Sequence, residues 1–526
     1  MIDVGLATAA QRWIDADPHD GDRAELRALL DAAANRPEAA NELAARFVGP
    51  LEFGTAGLRG PLRAGPNGMN LAVVRRTSAG VASWLQSEAR DGVVIGFDAR
   101  HRSREFAEAA AGVLAGAGLR VWLADRPWPT PLTAFAVRDL AAGAGIQITA
   151  SHNPASDNGY KVYDHTGTQI IPPDDARIAA SIEAQPAARD IQVAPVTATI
   201  GEEIVDRYLD LAATVASSTN RRDVRIVYTP LCGVGGDVMA RLFARVGFDD
   251  VHVVASQARP DPQFPGLPFP NPEEPGVLDA AIELAARVGA DLVIANDPDA
   301  DRLAVCVASS SGRWRMLSGD ELGLVLGEAL LRDARGVVAR TAVSSPAIDA
   351  VAARLGSETV VTPTGFKWLS RAADGRGLPL VFAYEEALGY LVDARVRDKD
   401  GMTAAIAAAA CAAEEPMLAR LARIAAVDGA WVTSQWAPRF EGADGLRTMR
   451  AVVDSLGDAD PVVVEFEAGE VLVRPSGTEP KLKCYFRTRV EVDTDDVATY
   501  ELARQTGLQR CEAMRIELAP RLGLAG

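Results

Sequence analysis

Three times along this chain an apolar, strand-like run gives way to a helix-like run and then to another apolar run. That repeated order limits the possible folds more than any other feature. GVVIGFDAR (92–100) leads through REFAEAAAGVLAGAG (104–118) into LRVWLAD (119–125). VRIVYTPLCGVGG (224–236) leads through DVMARLFARVG (237–247) into VHVVAS (251–256), and ADLVIANDPDADR (290–302) closes that unit. A third cycle runs through ELGLVLGEALLRD (321–333), GVVARTAVSS (336–345), AIDAVAARLG (347–356) and TVVTPTG (359–365). Such cycles predict right-handed crossovers and parallel or mixed sheets covered by helices. They share an order more than a sequence, which makes them candidate structural repeats.

The last hundred or so residues break the pattern. GEVLVRPSGTEPKLKCYFRTRVEV (469–492) reads as two strands around a Pro-Ser-Gly turn, followed by the helix DVATYELARQTGLQRCEAMRIEL, an α+β arrangement with a boundary near 428–435. Residues 1–50 are rich in alanine, leucine and charge with few breakers, and predict helices. The proline-rich stretches near 186–195 and 259–276 suit connectors or exposed loops. At 526 residues the chain exceeds one core and suits several domains.

Charge and cysteine usage narrow the partners. With 54 Lys and Arg against 71 Asp and Glu, the net charge of −17 argues against nucleic acid or an anionic membrane surface as the main partner. An anionic ligand would need a local basic pocket. Cys232, Cys306, Cys411, Cys484 and Cys511 are scattered, odd in number and free of C-x-x-C pairs, which suits a reducing, cytoplasmic setting. MIDVGLATAAQRWIDADPHD lacks the basic-then-apolar start of a signal peptide. MTAAIAAAACAA (402–413) is too short to span a bilayer and reads as a buried or surface helix.

Several short segments could carry chemistry. In ANDPDADRLAV (295–305), Asp297, Asp299 and Asp301 alternate directly after an apolar strand, so an extended backbone would point all three the same way. Three converging carboxylates repel unless a cation sits between them, and oxygen-only ligands indicate a hard ion such as Mg²⁺. The EF-hand pattern fails because Arg302 stands where glycine is required. In VRPSGTEPKLKCYF (473–486), Arg474 can fork onto a phosphate, Ser476 and Thr478 offer hydroxyls, Gly477 permits an anion nest, and Lys481 adds charge. GVGGD (233–237) reads as a tight strand-to-helix turn, since neither phosphate-loop pattern is met. In IQITASHNPASDNGYKVY, Ser151 follows a strand that Asn-Pro ends, and Asn158-Gly159 predicts a turn. A serine needs a base or a charge-stabilising group to act as nucleophile. His152, its strand neighbour, would point away, whereas Lys161 could reach back. Alone, Ser151 reads as a turn serine; beside a candidate Mg²⁺ site and a candidate phosphate cradle it suggests phosphoryl transfer. No G-x-S-x-G elbow supports a hydrolase.

TASHNP (149–154), NDPDADR (296–302), YEEALGY (384–390) and RPSGTEP (474–480) occur in that order, preceded by FGTAGLRG (53–60). The set resembles the signature segments of the α-D-phosphohexomutase superfamily, which includes phosphoglucomutases and phosphomannomutases. FGTAGLRG, DNGYKVY and RDKDG (397–401) are most similar to the branch holding phosphoglucomutase-2/phosphopentomutase-like enzymes and bacterial proteins named phosphomannomutase B. The resemblance covers roughly residues 50–490. It implies three related mixed α/β domains plus a C-terminal α+β domain around a central cleft: 51–205 with a phosphoserine loop, 206–318 with a metal loop, 319–428 with a sugar loop and 429–526 with a phosphate loop, behind the helical extension 1–50.

The resemblance also implies roles. Ser151 would carry the phosphoryl group, and its phosphate with Asp297, Asp299 and Asp301 would hold Mg²⁺. Arg59, His152 and Lys161 would serve catalysis, with His152 or Lys161 as general base. Arg302, Thr364, Gly365, Glu385 and Lys399 would bind the sugar side, and Arg474, Ser476, Gly477 and Thr478 the phosphate not being transferred. Many relatives have Glu-x-Ser where this chain has Glu385-Glu386-Ala387, and the spacing favours Glu385 as the sugar contact. The implied reaction interconverts hexose 1- and 6-phosphates through a sugar 1,6-bisphosphate. Pentose 1- to 5-phosphate mutation is the main alternative; a Mg²⁺-dependent phosphatase and an inactive sugar-phosphate-binding scaffold are the competing classes.

Overall fold

The computed structural model describes residues 3–196, 198–216, 221–440, 445–457, 459–475 and 481–524. Its first three sheets share one strand order. In the first, Asp157–Asp164, Ala144–Ile148, Val93–Phe97 and Val121–Ala124 lie side by side, with Leu58–Pro61 and Thr199–Ile200 added at the two edges. In the second, Leu303–Ala308, Leu292–Asn296, Ile226–Thr229 and Val251–Val253 repeat that order, with Trp314–Met316 added at one edge. In the third, Gly389–Leu391, Leu380–Glu385, Val337–Thr341 and Glu358–Thr362 repeat it again. Within each set of four, the first two strands named pair antiparallel and the other pairings are parallel. The repeats suspected from sequence are thus real in topology, and each places a short loop between a buried strand and its antiparallel partner. These loops contain Ser151, the aspartate run and Glu386.

Why these runs become strands is plain from burial: Val93–Phe97, Ala144–Ile148 and Leu292–Asn296 are buried throughout, as expected of strands covered on both faces by helices. The alanine-rich segment forms the helix Gly401–Glu414, which is nearly all buried, capped by Asp400 and packed against the second and third units. Among the described residues, no helix is long and apolar enough to cross a membrane. The helices Val4–Ala16, Asp20–Ala33 and Pro37–Arg46 form a small N-terminal unit around Ile14, Leu26 and Leu43.

The final unit is an antiparallel sheet in the order Ala430–Trp436, Leu482–Val490, Gly469–Pro475, Val462–Phe466, backed by the helix Val497–Arg521. The chain is therefore three mixed α/β units followed by an α+β unit.

One sequence expectation is corrected here. Asn158 and Gly159 do not turn the chain; they lie inside Asp157–Asp164, opposite Gly60 and Arg59. Gly159 is present because a Cβ there would meet Thr149 O at 2.5 Å and Leu58 O at 2.8 Å. The glycine answers to two flanking backbones, not to a turn.

Candidate active site

The serine loop leaves the first sheet at Ile148 and re-enters at Asp157. Ser151 sits at its tip with φ 54°, a left-handed conformation uncommon for a side-chain-bearing residue. Its amide donates to Thr149 Oγ1 at 2.8 Å, and its hydroxyl donates to Asp297 Oδ2 at 2.8 Å. Because the backbone turns at Ser151 instead of continuing as a strand, His152 does not point away. Its Nδ1 lies 3.1 Å from Ser151 Oγ. Burial, with Arg302 and Arg59 close by, pushes the His152 imidazole well below its usual pKa, so it is neutral. Arg59, on the neighbouring edge strand, reaches Asn153 Oδ1 at 3.0 Å.

The aspartates converge by a different route from the one the alternation suggested. The strand ends at Asn296, and the next residues form a turn in which Ala300 takes φ 56°. Asn296 Nδ2 closes the neck by donating to Arg302 O at 2.8 Å. Extended alternation would have spread the carboxylates along a strand; the turn gathers them. Each offers an oxygen within 4.8 Å of the others, and all three residues are buried. Burial and the neighbouring Asp299 and Asp301 charges push the Asp297 carboxyl well above the usual range. Burial would raise Asp299 as well, but the Lys161 ammonium at 2.8 Å holds it below the usual range. Lys161 also lies 3.0 Å from Asp301, and burial, which would lower its pKa, is outweighed by the two carboxylates. Its ammonium is committed to the aspartates and not to Ser151. Lys399 Nζ is 3.4 Å from Asp301.

Asp299 Oδ1 and Asp301 Oδ1 remain buried without a hydrogen-bond partner. Unpaired buried carboxylate oxygens are costly. Two such atoms beside Asp297 fit a small divalent cation, for which an all-oxygen donor set is suited.

Apart from Arg302, which follows the aspartate turn, the remaining candidate residues come from the third and fourth units. Arg302 and Gly389 form an antiparallel bridge, and Leu303 N donates to Leu388 O at 3.1 Å, so the aspartate loop and the Glu385–Glu386 loop are stitched by backbone. Glu385 lies beside Lys399, both crowding Gly389. Glu386 turns into its own unit, where Thr341 and Ser344 hydroxyls each donate to Oε2 at 3.1 Å. Arg302 pairs with Glu273 at 3.5 Å. Arg474, on a strand of the last unit, donates to Thr364 Oγ1, next to Gly365 at φ 113°. Lys367, just beyond in the chain, donates to Thr55 Oγ1 of the FGTAGLRG segment. Ser476, Gly477 and Thr478 lie outside the described residues.

Sequence reasoning missed the residues that hold this arrangement. Arg100 is buried and donates to four carbonyls of the serine loop: Ser151 O at 2.6 Å, Asn153 O at 2.5 Å, Pro154 O at 2.7 Å and Asp157 O at 3.1 Å. Thr130 joins the first unit to the second, its amide donating to Asp299 O at 2.9 Å and its hydroxyl to Asp299 Oδ2 at 2.7 Å. Gly233 backs the aspartate turn, since a Cβ there would meet Pro298 Cα at 2.3 Å. That gives GVGGD a supporting role. Arg100 acts on main-chain oxygens about fifty residues away and leaves no motif.

The chain is similar to proteins already known. Residues 50–189, 206–310 and 318–426 match the patterns of phosphoglucomutase/phosphomannomutase alpha/beta/alpha domains I, II and III, and 391–505 match the C-terminal domain. A Haemophilus influenzae protein named "Probable phosphomannomutase" is 38% identical over 459 residues, 80% of this chain and 93% of its own length. The Mus musculus protein named "Phosphopentomutase" is 37% identical over 445 residues, 77% of this chain and 70% of its own. A Thermus thermophilus crystal structure named "putative phosphomannomutase" superposes with TM-score 0.70 at 24% identity, covering 88% of this chain and 99% of that one; this likeness speaks to the fold alone.

Proposed function

Since the chain belongs to the phosphoglucomutase/phosphomannomutase family, we propose that it interconverts hexose 1-phosphate and hexose 6-phosphate, of glucose, mannose or both, through phospho-Ser151 and a sugar 1,6-bisphosphate. The observation that carries this reading is the buried Ser151 hydroxyl, 2.8 Å from Asp297, beside the unpartnered oxygens of Asp299 and Asp301. Asp297, Asp299, Asp301 and the Ser151 phosphate would hold Mg²⁺, which when bound neutralises charge developing on the transferred phosphoryl group.

In the first half-reaction the P–Oγ bond of phospho-Ser151 breaks and a bond forms to the free sugar hydroxyl oxygen. The hydroxyl proton passes to a base, and neutral His152 at 3.1 Å from Ser151 Oγ is better placed than Lys161, whose ammonium serves Asp299 and Asp301. His152 hands that proton to Ser151 Oγ as it departs, the bisphosphate turns over within the cleft, and when Oγ attacks the other phosphate the proton passes back through His152 to the departing sugar oxygen. Arg474 with Ser476, Gly477 and Thr478 grips the phosphate not undergoing transfer, while Glu385, Arg302, Lys399, Thr364, Gly365 and Arg59 line the sugar path. The free, buried cysteines suit a reducing cytoplasm.

Pentose 1-phosphate to 5-phosphate mutation is favoured by a specific pair of observations: the similarity to a mouse protein named for that activity, and Ala387 where many relatives carry a serine. ³¹P NMR with Mg²⁺, a trace of glucose 1,6-bisphosphate and glucose, mannose or ribose 1-phosphate separates the readings. Hexose 6-phosphates formed fastest, with Ser151→Ala silent, support the hexose reading. Dominant ribose 5-phosphate transfers the name to a pentomutase. Inorganic phosphate alone would mean net hydrolysis.

A further inference from the structure

Arg100 does not hold the serine loop alone; the turn it belongs to is itself clamped. Asp98 Oδ1 accepts from Arg100 N at 2.9 Å and from Ser103 Oγ at 2.6 Å. Asn158, on the strand leaving the serine loop, donates to His101 O at 3.0 Å and Ser103 Oγ at 2.9 Å. Between these residues Arg102 adopts φ 63°, a left-handed conformation with no glycine to ease it. What holds Arg102 there comes partly from outside the matched family domains, which begin at residue 50. Arg102 Nη1 and Nη2 donate to Asp22 Oδ1 and Oδ2 at 2.8 and 3.1 Å, a two-pronged contact to a buried carboxylate. Glu105 takes Nε at 2.6 Å. Asp22 is in turn fixed by His19, whose Nδ1 accepts its amide at 3.1 Å and caps the helix Asp20–Ala33.

We propose that the N-terminal helical unit is a brace for the nucleophile, with Asp22 and Arg102 as positioning residues that act on Ser151 through the 98–103 turn and Arg100. The purpose of the brace rests on the mutase reading; its mechanical part does not. Arg102 touches neither Ser151 nor Asp297, Asp299 or Asp301, so its loss should move the loop without removing a reacting group. Small displacements of a reacting atom cost large factors in rate.

Hydrogen exchange and steady-state kinetics on the full-length chain test this together, using Asp22→Asn, Arg102→Ala, the pair combined, Arg102→Lys as the conservative variant, and Arg102→Gly. Glycine relieves the left-handed backbone while deleting the guanidinium. We expect faster exchange of peptides covering 149–158 in Arg102→Ala and Arg102→Gly, with 482–490 unchanged. We also expect kcat to fall about tenfold or more with KM for the sugar phosphate nearly constant, the double variant to be no worse than Arg102→Ala, and Arg102→Lys to recover part of the loss. Unchanged exchange at 149–158, or a lowered Tm with kcat intact, overturns the brace. Faster loop exchange in the variants of a wild-type chain that phosphorylates no Ser151 would uphold the brace and overturn the mutase reading.

Discussion

At the scale of single residues, the site is set by which carboxylates are matched and which are not. Glu386 is an acid whose surroundings, chiefly burial and then the charges of Glu385 and Asp320, raise it from 4.5 to about 7. An acid raised on folding adds stability that is complete below its unfolded value and is lost as pH climbs through the folded one. Glu386 should therefore weaken the fold between pH 4.5 and about 7, by no more than about 3 kcal/mol. Glu386→Gln keeps an acceptor for Thr341 and Ser344. Urea midpoints should match wild type below about pH 5 and exceed it at about pH 8; parallel midpoints at all pH would refute the burial argument. Asp299 and Asp301 make the opposite case, since their free oxygens gain from a cation. Mg²⁺ should raise the Tm of wild type but not of Asp301→Asn, which should also lose roughly a hundredfold or more in turnover. An equal Mg²⁺ shift in both proteins would place the ion elsewhere.

At the scale of elements, the strands and helices of the repeated cycles were readable because their signal is local: continuous apolar runs bounded by Gly, Pro and Asp. The hairpin Leu380–Glu385 with Gly389–Leu391 was not, since three residues carry no period and the pairing is fixed by neighbouring strands. Asn158-Gly159 misled for a related reason, because the demand for glycine comes from carbonyls on the backbone to either side. The aspartate cluster could be seen because five consecutive residues contain it, yet the backbone that gathers it could not. Gly159→Ala tests the crowding directly. Overpacking against two backbones should destabilise by about 1–3 kcal/mol or more and slow turnover, because the strand carries both Lys161 and the end of the serine loop. A variant with wild-type urea midpoint would show that the sheet yields there.

At the scale of the whole molecule, three loops are tied into one body, and the fourth unit docks on it through an apolar seam that includes Ala430, Val492, Tyr500 and Ala503 and through polar contacts. Glu321 is the hub of that docking. Arg315 donates to it from the second unit at 2.8 and 2.9 Å, and Tyr500 and Arg504 donate from the last helix at 2.9 and 3.1 Å. Burial would raise its pKa, but the two arginines bring it down to about 2. Val343 inserts against Leu472 and Tyr485, and Arg487 holds Ala342 O and Ser344 O at 3.1 and 3.3 Å. Glu321→Ala leaves the half-buried Arg315 and Arg504 without their shared carboxylate and should cost about 1–3 kcal/mol. The C-terminal unit should then unfold first in urea, followed by near-UV circular dichroism, and a single unshifted transition would rule the hub out.

The backbone stitch from Arg302 to Gly389 has a consequence for selectivity. Serine loop, aspartate turn and the Glu385–Glu386 loop are tied into one body, so a bisphosphate reacting at either end, as proposed above, would have to present the same outline when reversed. Under the proposed mutase reading such a site would work as a caliper, gauging the span between two phosphorus atoms more strictly than the ring that joins them. Sugars of different ring size that hold their phosphates equally far apart would then compete on nearly equal terms, ranked by hydroxyl contacts of the kind proposed for Glu385.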